Sequence, residues 1–187
     1  MPPVSKIALG FVFAFGALRF NGFDLLFDPV GWGLCAAGLA ELQRSVDDPF
    51  SRARSFAVAV ACTSFVALIA FGEPSSHPLT VLSFSHVVGL VNTVGALVTV
   101  WLVVDAVIRR IRPYEDSSRV TLLDVLRWAV VSLGVLGLLS GYGYADLGVV
   151  TPIAWFATVV ALIVVLYRSA GLPSLSPTWA AVADRVP

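Results

Sequence analysis

The stretch Thr80–Arg109, TVLSFSHVVGLVNTVGALVTVWLVVDAVIR, decides the fold class of this chain. Between Thr80 and Val104 it carries no charged side chain apart from the titratable His86. A membrane-spanning α-helix needs about 20 apolar residues to cross roughly 30 Å of hydrocarbon. The stretch therefore predicts a transmembrane helix.

The composition of the whole chain agrees with this interpretation. Of its 187 residues, 58% are hydrophobic and only 13% are charged, whereas a soluble domain carries roughly 25% charged residues. This excludes a water-soluble monomer. Twelve basic residues balance twelve acidic ones, so no net charge indicates a nucleic-acid partner. Eleven of the twelve basic residues are Arg, which is typical of a GC-rich bacterial gene.

Five further apolar runs predict an all-α, polytopic transmembrane bundle of about six membrane helices. Together with the first stretch, the six predicted helices have the bounds Val4–Phe20, Pro29–Leu42, Phe56–Gly72, Thr80–Arg109, Leu122–Gly141 and Pro152–Tyr167. The first two are short, about 25 Å and 21 Å at 1.5 Å per residue, and form either a re-entrant hairpin or two tilted spans. Residues 1–171 are one bundle domain, and residues 172–187 are an extended cytoplasmic tail.

Basic residues in short loops predict the orientation. Residues 43–55 and 109–120 carry most of the arginines, and six spans place both loops on the same side as Lys6 and Arg168. Cytoplasmic loops are enriched in Lys and Arg. We therefore expect a multipass protein of the plasma membrane with both termini in the cytoplasm.

Residues 21–32, NGFDLLFDPVGW, join the first two helices. Asn21–Gly22 is a turn signal, but the Phe and Leu residues that follow are too apolar for a solvated loop, so the turn is expected at or below the membrane surface. The segment resembles a turn of small uncharacterised bacterial multipass membrane proteins, in which Pro is expected at the position of Phe27. The resemblance implies no known activity and directs attention to Asp24 and Asp28.

Five polar residues are candidates for a pathway or vestibule, because charged and polar groups inside a membrane are costly and are often functional. The alternative is structural: Asp28 caps the second helix, Asp24 pairs with Arg19, and the polar groups of the fourth helix hydrogen-bond to neighbouring helices. The five residues are Arg19, Asp24, Asp28, His86 and Asn92.

Glycines at helical spacing predict close helix contacts, because small residues let membrane helices approach each other. The sequence does not tell whether the contact is internal or with another subunit. The candidate contact residues are Gly31, Gly38, Gly134, Gly137 and Gly141.

Arginines at the end of the fourth helix form a candidate patch for anionic lipid or a cytoplasmic partner. The patch consists of Arg109, Arg110, Arg112 and Arg119. The alternative is an interfacial charge network, with Asp105 pairing with Arg109 at i,i+4 spacing and Asp124 pairing with Arg127.

The chain carries no motif for a metalloprotease, a serine hydrolase or a nucleotide-binding enzyme, so we expect neither an enzyme nor a bound cofactor. The leading hypothesis is an accessory or scaffold protein of the lipid bilayer that packs against another membrane protein or a second copy. The alternative is a small transporter or channel subunit that moves a cation, a proton or a small solute. We would separate the two by asking whether the acidic residues line a cavity that reaches Asn92.

Overall fold

The computed structural model of the chain describes residues 1–16, 19–20, 23–24, 28–45, 47–70, 84–113, 117–141, 148–172 and 175. Within these residues the chain forms six α-helices. They are α1 (Pro3–Phe15), α2 (Asp28–Leu42), α3 (Pro49–Ala70), α4 (Phe84–Ile111), α5 (Ser117–Gly141) and α6 (Val150–Ser169). The predicted all-α architecture is confirmed.

Three of these helices are long and apolar enough to cross a membrane, fewer than the six predicted from the sequence. They comprise Val87–Ile111, Ser117–Ser140 and Val150–Ser169. Helices α1 and α2 have 13 and 15 residues, which is about 20 and 22 Å at 1.5 Å per residue. Helix α3 has 22 residues, but arginines occupy its first two turns.

Helix α1 ends earlier than the predicted Phe20. Gly16 terminates it, with its backbone N–H donating to the carbonyl of Val12 at 2.8 Å. The chain then forms two-residue strands, Arg19–Phe20 (β1) and Phe23–Asp24 (β2), which pair antiparallel with Arg19 opposite Asp24. This pairing brings the residues before and after the predicted turn side by side, and the turn itself, Asn21–Gly22, lies outside the described part of the chain.

Helix α3 begins at Pro49, seven residues before the predicted Phe56. The carboxylate of Asp48 accepts a hydrogen bond from the backbone N–H of Phe50 at 3.1 Å, and Pro49 occupies the first helical position, where a missing N–H costs nothing. The same Asp-Pro signal occurs at the start of α2. Helix α6 begins at Val150, two residues before the predicted Pro152.

The six helices form a closed ring. Each helix contacts the next one along the chain, and α1 also contacts α6. One end of the ring, which we call the arginine end, holds the α2–α3 and α4–α5 connections and the last turn of α6. The opposite end, which we call the cavity end, holds the starts of α2, α4 and α6 and the last turns of α1 and α5.

Buried apolar side chains concentrate towards the arginine end. In the described part of α4, every buried apolar residue lies between Leu97 and Ile111, in the half that leads to this end. In α6 the buried apolar residues are Val159, Leu162 and Leu166, again in the half nearer the arginine end. In the described parts of α4 and α6, the buried apolar side chains thus lie in the half nearer the arginine end.

Helices α1 and α2 contact each other backbone to backbone. A Cβ atom on Gly10 would lie 2.6 Å from the carbonyl oxygen of Gly31, and one on Gly38 would lie 2.6 Å from the carbonyl oxygen of Pro3. Such distances leave no room for any side chain at these positions. Two of the predicted contact glycines, Gly31 and Gly38, therefore lie inside the α1–α2 hairpin.

The start of the tail packs onto the bundle. The side chain of Leu175 is 1% exposed and belongs to the apolar core, and Leu172 packs against that core. The beginning of the predicted extended tail is therefore anchored. Residues 176–187 lie outside the described part of the chain.

Candidate functional site

A cavity of about 610 Å³ lies at the cavity end, between five of the six helices. We call it the five-helix cavity. Its described lining residues are Ala14 and Phe15 of α1; Asp28 and Trp32 of α2; Asn92, Thr93, Ala96 and Leu97 of α4; Leu133, Gly134, Gly137, Leu138 and Ser140 of α5; and Gly148, Thr151, Pro152 and Trp155 at the start of α6. Its volume falls in the range of about 300–1,000 Å³ that is typical of sites for small molecules.

The cavity brings together two residues that the sequence identified separately. Asp28 lies in the first turn of α2, and Asn92 lies in the third turn of α4, 64 positions further along the chain. Asp28 is the only charged residue among the described lining residues. A single carboxylate in a largely apolar space favours positive over negative charge there.

Three aromatic rings stand on the same wall of the cavity. The ring of Phe15 packs edge-to-face against Trp32, with centroids 5.7 Å apart, and against Trp155, with centroids 5.6 Å apart. Such contacts hold large side chains rigidly in place. The Nε1 atom of Trp155 is buried and has no hydrogen-bond partner among the described residues.

Asn92 connects the cavity wall to helix α3. Its Oδ1 atom accepts hydrogen bonds from Ser64 Oγ at 2.7 Å and from Thr63 Oγ1 at 3.2 Å. The interhelical hydrogen bond expected of Asn92 is confirmed. Its side chain is half-buried, because one part lines the cavity while the amide oxygen faces α3.

Several predicted pathway residues are described only by their backbone. Arg19 and Asp24 face each other across the β1–β2 pair, and His86 lies in the first turn of α4. Their side chains lie outside the described part of the structure. The same holds for the surroundings of Gly141, the last residue of α5.

The glycines of α5 have different surroundings. A Cβ atom on Gly134 would lie 2.6 Å from Cδ2 of Leu97, so this position is a close contact between α4 and α5. A Cβ atom on Gly137 would meet nothing within 4 Å, and this residue lines the cavity. Gly137 therefore forms part of the cavity wall and makes no close contact with another described helix of the chain.

The predicted arginine patch requires a correction at Arg110. Its Nη2 atom lies 3.0 Å from Asp48 Oδ2 and 3.2 Å from the carbonyl oxygen of Leu42, and its side chain is only 14% exposed. The guanidinium also lies 5.1 Å above the ring of Phe50. Arg110 thus ties α4 to the α2–α3 connection, whereas Arg109, Arg112 and Arg119 are exposed.

The alternative charge network is present at the same end. Asp105 accepts hydrogen bonds from Arg109 Nε at 2.7 Å and from Arg127 Nη1 at 2.7 Å, and Arg127 also pairs with Asp124. The guanidinium of Arg127 lies 4.0 Å above the ring of Trp101. The predicted ion pairs are confirmed, and two acids balance two bases within them.

Comparison with protein-family models, with curated proteins and with solved structures finds no match to this chain.

Asp48 is the structural residue that the sequence analysis overlooked. It caps α3 through Phe50 and binds Arg110 with its second carboxylate oxygen. The signal was the Asp-Pro dipeptide at residues 48–49, the same pattern that marked the start of α2. Reading it as a helix start would have placed Arg52 and Arg54 on α3 rather than in a loop.

Proposed function

We propose that this chain is an integral protein of the bacterial plasma membrane that binds a small solute in the five-helix cavity, as a small transporter or channel subunit. The observation that carries the proposal is the presence of Asp28 and Asn92 in the wall of one cavity. Two polar residues from distant parts of the sequence converge on a space large enough for a small molecule.

The same proposal assigns all six helices to the membrane, with α1 and α2 as a short hairpin. The contact between α1 and α6 supports this assignment, because a hairpin that is part of the ring shares the environment of the three long apolar helices. Both termini are cytoplasmic in this topology. The exposed arginines of the arginine end support that orientation, since cytoplasmic loops are rich in Lys and Arg.

The scaffold hypothesis has less support. Its main argument was a set of glycine faces free to contact another protein. Gly31 and Gly38 are used inside the α1–α2 hairpin, Gly134 contacts Leu97, and Gly137 lines the cavity. Internal contacts and the cavity thus account for these four glycines, which leaves the solute-binding hypothesis better supported.

Access of water to the cavity tests the proposal first. In a Cys62→Ser background, Thr93→Cys places a thiol on the cavity wall, and Val91→Cys places one on an exposed apolar position of the same helix. Only a thiolate reacts with 2-hydroxyethyl methanethiosulfonate, and thiolates form in water rather than in lipid. We expect Thr93→Cys in nanodiscs to be labelled much faster than Val91→Cys. Equal, slow labelling of both would refute a hydrated cavity.

A thermal-shift screen tests solute binding itself. A solute that binds the folded state raises the melting temperature. We expect some soluble compounds to stabilise the unmodified protein but not a Gly137→Trp variant, in which the indole fills the cavity without a clash at Cβ. If every stabilising compound acted equally on both proteins, the cavity would not be the binding site.

A further inference from the structure

We infer that an anionic phospholipid of the cytoplasmic leaflet binds in a groove between the first and the last helix. The groove, which we call the α1–α6 groove, has a volume of about 330 Å³ and lies where these two helices close the ring. The inference uses the proposed membrane assignment of α1 and α6. It does not depend on solute binding, because no described residue lines both this groove and the five-helix cavity.

Most of the groove wall is apolar. The apolar residues include Ala8, Leu9 and Val12 on α1, and Ile163 and Val164 on α6. The side chains of Val12 and Val164 are 41% and 47% exposed, so part of this wall is open to the surroundings of the bundle. An acyl chain can cover such a wall because it has no hydrogen bonds to lose in hydrocarbon.

The polar residues of the groove lie together at one end. Ser5 lies near the start of α1, and Tyr167 and Arg168 lie in the last turn of α6. Both segments are at the arginine end of the ring, which the proposed topology places at the cytoplasmic surface. Tyr is enriched at this depth, where the lipid headgroups lie. The groove therefore has the polarity of a phospholipid, with an apolar length and a polar end at the membrane surface.

The charge of the lining favours an anionic headgroup. Arg168 is the only charged side chain among the described lining residues. It is exposed, and it has no ion pair or side-chain hydrogen bond within the described part of the chain. Arginine binds phosphate through paired N–H donors, and basic pockets between membrane helices at the cytoplasmic surface bind anionic lipids. The described lining has no acidic side chain to hold the ammonium group of a zwitterionic lipid.

Ser5 provides an independent sign of a polar ligand at the same end. Four polar residues are buried in the described structure, and the side chains of Ser64, Thr99 and Ser169 all donate hydrogen bonds. Ser5 is only 5% exposed, yet its hydroxyl has no hydrogen-bond partner among the described residues.

A buried polar group without a partner is rare and indicates a missing partner such as a ligand. The hydroxyl of Ser5 is not among the unpartnered side-chain atoms that are sealed from solvent, and Ser5 lines the groove. A phosphate or glycerol oxygen of a headgroup beside Arg168 would supply the acceptor that the described chain lacks.

A matched pair of lipids tests the charge of the occupant without altering the protein. Phosphatidylglycerol and phosphatidylcholine with identical acyl chains differ only in their headgroups. The full chain in detergent is mixed with equal amounts of both, and native mass spectrometry measures the lipid that it retains. We expect about fivefold more phosphatidylglycerol than phosphatidylcholine. Glycerol 3-phosphate, which carries a phosphate without acyl chains, should not displace the lipid.

Three variants locate the headgroup. Arg168→Gln is expected to reduce the preference for phosphatidylglycerol about fivefold, to near equality. Ser5→Ala, which removes only the hydroxyl, is expected to lower phosphatidylglycerol retention about threefold. Arg112→Gln removes an exposed arginine at the same end but outside the groove, and it should leave the preference unchanged. Melting temperatures show whether each variant folds, and the lipid comparison on the unmodified protein requires no variant.

Several outcomes would overturn the inference. Equal retention of the two lipids would do so, and so would equal losses in Arg168→Gln and Arg112→Gln, because retention would then follow the overall charge of the arginine end. Displacement by glycerol 3-phosphate would identify a site for free phosphate, and a dimer that retains no lipid would show that a second copy covers the groove. If phosphatidylglycerol is retained as expected while Thr93→Cys resists labelling, the lipid site stands and the solute-binding function fails.

Discussion

The two ends of the bundle use polar side chains in different ways. At the arginine end, Asp48 holds Arg110 and Asp105 holds Arg127, each within an ion pair of 3.0 Å or less. At the cavity end, Asp28 and Asn92 line a space of about 610 Å³. Both arrangements include α4, whose last turns are packed and whose first half borders the cavity.

This difference indicates how polar groups in a membrane bundle divide between structure and function. A charge in the membrane is costly unless it is paired, and the pairs at the arginine end meet that requirement within the chain. Residues that line a cavity also have partners within the chain, as Asn92 does with Ser64, and are in addition open to whatever enters the cavity. We therefore expect substitutions at the arginine end to change stability, and substitutions at the cavity end to change binding.

The largest effect is expected for Arg110→Met. Removal of one partner from a buried ion pair leaves the other charge unpaired, which costs about 3–5 kcal/mol. The Asp48 side chain, 9% exposed, would lose its guanidinium partner. Denaturant unfolding in detergent measures the loss. Arg112→Met, at an exposed position two residues away, is the control. An equal loss of stability in that variant would show that the Arg110–Asp48 ion pair is not the cause of the loss.

The next largest loss of stability is expected for Gly38→Ala. The added Cβ would lie 2.6 Å from the Pro3 carbonyl oxygen and 2.8 Å from Ile7 Cγ1. Overpacking of this kind costs about 1–3 kcal/mol, because α1 and α2 must separate. Gly33→Ala in the same helix meets nothing within 4 Å and is the matched control in a melting experiment. Similar melting temperatures for the two variants would contradict the tight hairpin.

A smaller effect distinguishes the two glycines of α5. Gly134→Leu meets the Leu97 side chain, which can partly move aside, so we expect a loss of about 1 kcal/mol. Gly137→Leu extends into the cavity and is expected to leave the melting temperature unchanged while it weakens binding of the compounds that the thermal-shift screen identifies. The sequence analysis predicted that both glycines lie on a helix-contact face. Equal destabilisation would restore that hypothesis and argue against a cavity beside Gly137.

The order and number of helices were predictable because apolar runs and Pro, Gly and Asp signals mark each of them in the sequence. The charge pairs between neighbours in one helix, such as Asp105 and Arg109, were predictable for the same local reason. The α3 boundary was also within reach, since Asp48–Pro49 repeats the signal at Asp28–Pro29.

The inward direction of Arg110 and the cavity were not predictable. Successive residues of a helix point about 100° apart, so Arg110 faces a different side from Arg109 and Arg112. Only the position of the α2–α3 connection decides which side is buried. The cavity depends on closure of the ring between α1 and α6. No local sequence pattern predicts that contact, because it joins the first and the last helix of the chain.

A small loss of stability is expected for Asn92→Leu, which tests whether Asn92 contributes to binding more than to stability. The substitution removes the acceptor of Ser64 Oγ at 2.7 Å and of Thr63 Oγ1 at 3.2 Å. Hydrogen bonds between membrane helices are worth about 0.6 kcal/mol on average. The single hydroxyl proton of Thr63 can go to the carbonyl of Val60 at 3.0 Å instead. That donor is then satisfied within α3, and we expect a loss of about 1 kcal/mol or less.

Binding should respond more strongly than stability to the same change. Leucine at residue 92 replaces a polar part of the cavity wall with an apolar one. Binding of the compounds that the thermal-shift screen identifies, measured by dialysis, should therefore fall severalfold while the melting temperature changes little. Ser64→Ala is the matched control, because it removes the shorter hydrogen bond from the α3 side and does not alter a described lining residue. If Ser64→Ala reduced binding as much as Asn92→Leu, the α3 contact rather than the cavity wall would explain the loss. If Asn92→Leu lowered stability by several kcal/mol and left binding intact, Asn92 would belong with Arg110 among the structural residues.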